Sequence, residues 1–532
     1  MKLHTTHVDW FGLATVFALI GGSFLALLCA VLVPQALRRA ASLGITVTGF
    51  TAGLVLSVWL YVDSANGHTI VHGAFYRDRW TALGQIILCG IGLATSVVSA
   101  DHIPVWGRNA DQSHRDDHIA EFFALLLASA AGMAFFVGAA NLMVLFLSLE
   151  WFSIALYVMC AIDYPPAASA GGEAAGARPE DRGAFGVPGE SSLEAGLKYL
   201  IVGSFGAGAL LFGSALVYGA TGQISFHGIA HAVASRGLTG DTFMVVGIAL
   251  IVAGLAFKMS AAPFHMWTPD VYEGAPTAVT AWMASATKVA ALLLAFRLMT
   301  TAFPHNGHLW GWAFAIIAAF SLAIGNFAAL VQRNVKRILA YSSISHAGFM
   351  LIALSAGSAL GGRALMYYLV PYSAMAFGSF AIVAAREREL GVPVTLENLA
   401  GFGWERPFLG VAMWFFMFGF AGLPLGGGFV GKFYVFAAAY RHGWVWLVIV
   451  GVLATLVSLY YYLGIVRAMY MRPAEELQVQ PGGGVAVGGG APAAEWLLHL
   501  AVGAALAVSV GSLFAVQPLI DLARHAASAL PL

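Results

Sequence analysis

Residues 256–267 read AFKMSAAPFHMW, and residues 421–433 read AGLPLGGGFVGKF. Each stretch lies inside a long apolar run, and each sets a lysine, Lys258 or Lys432, beside helix-breaking residues. Pro263 stands five residues after Lys258, and Pro424 stands eight residues before Lys432 with a glycine cluster between. Proline removes a backbone donor and clashes with the preceding turn, so both runs read as helices interrupted midway. A proline kink in a packed helix explains either break alone, since neighbouring helices resatisfy the freed backbone groups. The recurrence of break with lysine points further, to two copies of one unit.

Working outward, apolar runs of about 20 residues, the length that crosses a bilayer core, fill the chain. Its 532 residues are 60% hydrophobic and only 10% charged, against roughly 25% charged in soluble proteins. The runs are continuous, not alternating ten-residue segments, which favours helices over a barrel. The fold class is therefore an all-α polytopic membrane protein with about 14 transmembrane helices, at 10–33, 42–62, 82–100, 119–138, 141–162, 194–219, 242–262, 276–299, 310–331, 337–357, 363–385, 407–440, 443–467 and 495–518. The first run is too long for a signal-peptide core and is expected to be retained. The two breaks fall in the seventh and twelfth spans. An odd offset of five gives the two units opposite topology, and inverted repeats with interrupted helices at an ion site are a transporter signature. The domains expected are an N-terminal three-helix segment at 1–118, a first inverted repeat at 119–299 with a flexible loop at 163–193, and a second at 310–467. A Gly-rich linker at 473–494 and a C-terminal helix at 495–532 follow.

Connections after odd-numbered spans hold fourteen Lys and Arg residues and those after even-numbered spans hold six. By the positive-inside rule the odd connections are cytoplasmic, and both termini lie on the other, periplasmic side.

Of six lysines, four (Lys198, Lys258, Lys288 and Lys432) lie within these runs, whereas the arginines fall in or at the edges of connections or near the C-terminus. An ionisable group in hydrocarbon is costly and marks a functional site by default. Desolvation can strip a proton from lysine but not from arginine, so this distribution is what a proton relay needs. Glu150 and Lys198 lie on adjacent spans. A carboxylate and an ammonium there can pair, and such a pair is either a static bridge or, if it moves, a gate on the lysine's proton. His265, seven residues after Lys258, suits proton exchange near neutral pH or caps the broken helix. His346 sits among Ser342, Ser343 and Ser345, a strip that orders water or glues helices together.

Other chemistries find no support. Net charge is zero and suggests no nucleic-acid partner, and Cys29, Cys89 and Cys160 stand singly in apolar helix, with no metal or cluster spacing. Gly426 to Lys432 nearly matches a phosphate-binding loop, but Phe433 replaces the required hydroxyl and the flanks are membrane helix.

The stretch from Ala256 to Leu293, RILAYSSISHAGFMLIAL at 337–354 and LPLGGGFVGKFYVFAAA at 423–439 resemble the signature segments of the antiporter-like membrane subunits of respiratory complex I. EAGLKYLIVGSFGAGALLFGSALVYGATG at 194–222 resembles the subunit N branch, counterpart of mitochondrial subunit two. The resemblance implies a proton-translocating subunit of a bacterial NADH:quinone oxidoreductase in the inner (plasma) membrane. It implies lipid, the antiporter-like M subunit and the small subunits A, J and K as neighbours, with NADH, FMN, iron–sulfur clusters and quinone held by other subunits and no cofactor in this chain. By motif match, Glu150 and Lys198 take the gating pair, and Lys258, Lys288 and Lys432 take the lysines of the seventh, eighth and twelfth helices. The twelfth-span motif departs from the family's LPP-x-x-GF in having Leu425 where a second proline is usual. The alternative is a subunit of a multi-subunit sodium/proton antiporter, which shares the fold and the lysines. A structural scaffold is the third reading, and it leaves four membrane-embedded lysines unexplained.

Overall fold

In hydrocarbon a backbone must satisfy its hydrogen bonds within its own segment, so unbroken apolar runs of this length become helices. The computed structural model describes residues 9–64, 67–102, 118–162, 190–390, 392–471 and 495–531. Among the described residues, twelve helices are long and apolar enough to cross a membrane, from Phe11–Leu32 to Trp496–Phe514. Two shorter apolar helices, Thr242–Lys258 and Pro407–Ala421, begin the two broken spans, which accounts for the fourteen expected. The linker at 473–494 lies outside the described residues, as does most of the 163–193 loop. The end of that loop is helical instead, since Glu190–Thr221 is one helix.

The first break follows Lys258. The chain turns through Met259–Met266, with Ser260 at φ +61°, and resumes as the helix Trp267–Gly274. Two polar groups in the turn are paired: the Ala262 amide donates to the Ser321 hydroxyl at 2.8 Å and the Trp267 indole to the Phe257 carbonyl at 3.2 Å. Ser321 belongs to Gly307–Leu330, in the other half of the chain. The second break separates Pro407–Ala421 from Gly427–Arg441 and turns at Gly422, whose φ of +80° is one that glycine adopts without strain.

Three helices form the interior. Thr277–Ala302 is wholly buried, and Val335–Ser355 and Ala359–Leu390 are nearly so. The first of these contains a π-helical turn, Met283–Thr287, directly before Lys288. The outer helices turn large apolar side chains such as Phe24, Phe205 and Phe320 outward, as a lipid-facing surface requires.

Three features depart from the sequence reading. A two-stranded antiparallel hairpin pairs His68 with Arg77, Thr69 with Tyr76 and Ile70 with Phe75, a small addition to an otherwise all-α membrane fold. A short helix Val516–Ala527 follows the last span, and the Tyr61 hydroxyl donates to its Leu522 carbonyl at 3.1 Å. Arg297, placed by sequence at a span edge, is fully buried. Its guanidinium donates to both Asp78 oxygens at 2.7 and 2.8 Å, to the Thr81 hydroxyl at 2.9 Å and to the Val137 carbonyl at 3.1 Å. Arginine's rigid fork makes such multiple pairing possible, and an ion pair so satisfied tolerates burial that an isolated charge does not.

Candidate functional site

Lys258 is the last residue of its helix and is 3% exposed. Its ammonium donates to the Ser153 hydroxyl at 2.8 Å and the Tyr199 hydroxyl at 3.0 Å, and it lies 4.5 Å from the centre of the Phe152 ring. Aromatic faces attract a cation once water is excluded. Glu150 sits one helical turn before Ser153, with a buried carboxylate oxygen that has no hydrogen-bond partner. The charge that acts on it through space is that of Lys258.

The expected pairing of Glu150 with Lys198 does not occur. Lys198 is partly exposed and bonds Glu194 at 2.6 Å and Asp270 at 3.2 Å. Helix geometry gives the reason. Consecutive residues point about 100° apart, so Lys198 and Tyr199 face different ways. Tyr199 is buried and reaches Lys258, while Lys198 shares a face with Glu194, four residues earlier. The structure thus relates Glu150 to Lys258 and moves Lys198 into a surface network. That network continues through Arg337, which bonds Asp270 at 3.0 Å and Glu273 at 2.7 Å, and Asn334, which bonds Glu273 at 2.9 Å. Beside it Lys336, which sequence set outside the apolar runs, is buried and donates to the Ala275 carbonyl at 2.9 Å. Burial alone raises the Asp270 carboxyl, but hydrogen bonds from Arg337 and Lys198 outweigh it and hold the group below its usual range.

Lys288 has no exposed surface and donates to the Ser343 carbonyl. The Ser343 hydroxyl shares a hydrogen bond of 3.0 Å with Tyr372, whose own hydroxyl donates to the Ala284 carbonyl at 3.2 Å. Ala284 lies in the π-helical turn, where the wider i→i+5 pattern displaces carbonyls from the regular ladder. His346 is buried between two tyrosines, with Nδ1 2.7 Å from the Tyr368 hydroxyl and Nε2 3.0 Å from that of Tyr462. Tyr462 in turn meets the Ser342 hydroxyl at 2.5 Å. Lys432 donates to the Phe420 carbonyl at 2.8 Å and lies 4.4 Å from the centre of the Phe349 ring, while the His346 ring packs 4.9 Å from Phe420. His265 is partly buried in the first break, and its Nδ1 has no partner.

The helices therefore bring two groups together. One contains Glu150, Lys258, Ser153 and Tyr199. The other contains Lys288, Ser342, Ser343, Tyr372, Tyr462, His346, Tyr368 and Lys432. Sequence reasoning picked out Ser342 and Ser343 beside His346 but missed Ser153 and the tyrosine hydroxyls. Ser153, three residues after Glu150, and Tyr368 and Tyr372, four apart on one helix, carry that signal as same-face spacing. Among the described residues, no cluster of three or more His, Cys, Asp or Glu side chains can hold a metal ion.

The family model for the transmembrane region of NADH:quinone oxidoreductase and Mrp antiporter proteins matches residues 187–458. NADH-quinone oxidoreductase subunit N of Trichlorobacter lovleyi is 40% identical over 356 residues, covering 67% of this chain and 68% of that protein. Subunit N 2 of the same enzyme from Roseiflexus castenholzii is 34% identical over 481 residues, covering 88% and 89%. A chain of respiratory complex I from Thermus thermophilus with bound aureothin superposes with a TM-score of 0.71 at 30% identity, over 96% of this chain and 99% of that one. A chain of the Mrp complex from Dietzia superposes at 0.78 with 20% identity, over 97% of both, a likeness of fold.

Proposed function

This chain belongs to the NADH-quinone oxidoreductase subunit N family, and from that premise we propose that it carries protons across the membrane without a redox centre of its own. Its neighbours are the other membrane subunits of the oxidoreductase, the M subunit and the small subunits A, J and K. NADH, FMN, iron–sulfur clusters and quinone belong to other chains. The membrane is the bacterial inner membrane, with both termini periplasmic.

The observation that carries this reading is the seating of three buried ammonium groups, Lys258, Lys288 and Lys432, each against oxygens that accept its hydrogens. Such a group exists charged or neutral according to small changes in the local field, and about 1.4 kcal/mol shifts its protonation equilibrium tenfold. Glu150 supplies that field at Lys258. Quinone reduction elsewhere alters the charge near Glu150, and the proton held on Lys258 moves on. Lys288 and the hydroxyl line through His346 pass the change to Lys432, which releases a proton on the far side. His265 stands in the first break as a further exchange group, and Lys198 acts from the surface network that surrounds Asp270.

The test replaces Lys258 with Ala in the assembled oxidoreductase and measures electron transfer and proton pumping together. Pumping is expected to fall. Pumping at the wild-type rate in a fully assembled complex removes the relay role. The fold shared with the Mrp complex favours sodium/proton exchange as the second reading, for which pumping depends on sodium; pumping independent of sodium excludes it.

A further inference from the structure

Trp312, Trp444 and Trp446 gather at one end of the bundle, where the helices Gly307–Leu330 and Val445–Met471 both begin. Trp444 is buried, while Trp312 and Trp446 are exposed. Ring centres lie 5.1 Å apart for Trp312 and Trp444, 6.2 Å for Trp444 and Trp446, and 6.1 Å for Trp312 and Trp446, so each ring rests on the other two. His308 packs beside Trp312 at 6.4 Å and His442 beside Trp444 at 5.2 Å. A single tryptophan at a helix end is ordinary where apolar layer meets headgroups. Three in mutual contact, flanked by two histidines, make a shaped surface. Trp80, Trp267, Trp282, Trp310 and Trp404 each donate their indole N–H to an acceptor inside the protein. Among the described residues no acceptor takes the indole N–H of Trp312, Trp444 or Trp446.

The charge at this end has one sign. Arg441 directly precedes His442, and His305 lies three residues before His308, all of them exposed. No Asp or Glu occurs from Met299 to Gln332 or from Arg406 to Ala474. Asp241, whose loop meets this end through the hydrogen bond from Asn306 to the Thr239 carbonyl, caps its own helix at Met244. Below the cluster the two helices pack together, and each turns an apolar stripe outward. Trp312, Ile316, Phe320 and Phe327 form one, and Trp446, Ile449, Leu453, Leu456 and Tyr460 the other, at spacings that keep each set on one face. Each stripe runs about 20 Å along its helix, more than the half-thickness of about 15 Å that an acyl chain fills.

We propose that this end of the two helices is a binding site for an anionic glycerophospholipid. The phosphate accepts from the exposed indoles of Trp312 and Trp446 and from His308, Arg441 and His442, and the acyl chains lie along the two stripes. Arginine and helix-end basic clusters suit a phosphate that carries net negative charge. A choline or ethanolamine headgroup brings an ammonium as well, and neither helix offers it a carboxylate. The alternative seat for an ammonium is an aromatic face, but these rings lean on one another and on the histidines. The proposal does not depend on the relay of protons through the buried lysines.

The experiment uses the assembled oxidoreductase, exchanged into discs of phosphatidylcholine alone or mixed with phosphatidylglycerol, then stripped with detergent and weighed by native mass spectrometry. The parent is expected to keep phosphatidylglycerol in preference to phosphatidylcholine. The combined variant His308→Gln, Arg441→Gln and His442→Gln is expected to lose a phosphatidylglycerol molecule that the parent keeps. Arg333→Gln, which removes an exposed positive charge beyond the opposite end of Gly307–Leu330, is expected to keep it. A structure of the parent in the mixed discs should show two-chain density along the stripes, with its phosphate at Trp312 and Trp446. Equal retention by the parent and the combined variant overturns the proposal. So does equal retention of the two lipids, or protein density from another subunit over the two stripes.

Discussion

The Lys432 ammonium lies 2.8 Å from the Phe420 carbonyl, so the second half of a broken helix holds the free end of the first. Gly422 makes this approach possible. A Cβ added there lies 2.9 Å from Lys432 Cδ, at a φ of +80°. For Gly422→Ala the left-handed backbone alone costs about 1–2 kcal/mol. The expected result is a lower unfolding temperature and slowed pumping. A variant that melts and pumps like the parent removes the argument.

Tyr199→Phe keeps the ring beside Lys258 and deletes one of its two hydroxyl partners. A hydrogen bond to a charged group contributes about 1.5–3 kcal/mol, enough for a roughly tenfold change in proton occupancy. Pumping per electron should drop, with assembly intact. Tyr218→Phe, an exposed tyrosine on the same helix, serves as the comparison and should change pumping less.

Arg297→Met strands Asp78, a buried carboxylate at 3% exposure. Breaking one side of such a pair costs about 3–5 kcal/mol, while replacing both sides by apolar groups can be neutral. The single variant should therefore reduce heat stability or assembly, and Asp78→Leu combined with Arg297→Met should recover much of the loss. Equal loss in both would show that the guanidinium's other bonds, to Thr81 and Val137, matter more.

The Asp270 carboxyl is held below its ordinary value of 3.8. A depressed carboxyl contributes stability that is fully present above that unfolded value and is lost as pH falls through the lower folded one. Asp270→Asn lacks this contribution at every pH. Unfolding temperatures of parent and variant should therefore differ at pH 7, hold that difference down to about pH 4, and converge below it. Parallel curves throughout would remove the Asp270 network from the stability of this face.

Much of the fold was legible because membrane spans are long and the two lysine-bearing breaks are punctuated by Pro263, Pro424 and glycines. The hairpin at His68–Arg77 was not, since three-residue strands carry no period to read. Lys258, Lys288, His346 and Lys432 are all buried, as charge in apolar sequence suggested, and the last three gather in one group apart from Lys258. Their partners are harder to read. Helical spacing ties Lys198 to Glu194, but nothing local says that Asp270, beyond a break, will reach it. Nor does spacing reveal that Tyr199, not Lys198, turns inward. Arg297 escaped notice because its partner Asp78 lies 219 residues away. Such pairings are decided by which helices pack together.

The π-helical turn at Met283–Thr287 bears on what changes of length this helix can absorb. Such a turn holds one residue more than an α-helical turn over nearly the same rise. Deleting a single residue within it would restore regular winding and leave the flanking turns facing nearly the same way, whereas the same deletion in a regular stretch swings everything downstream by about 100°. Lys288 would then keep its direction toward the Ser343 carbonyl and Arg297 toward Asp78. The helix should tolerate the loss of one residue among these five positions better than the loss of one on either side.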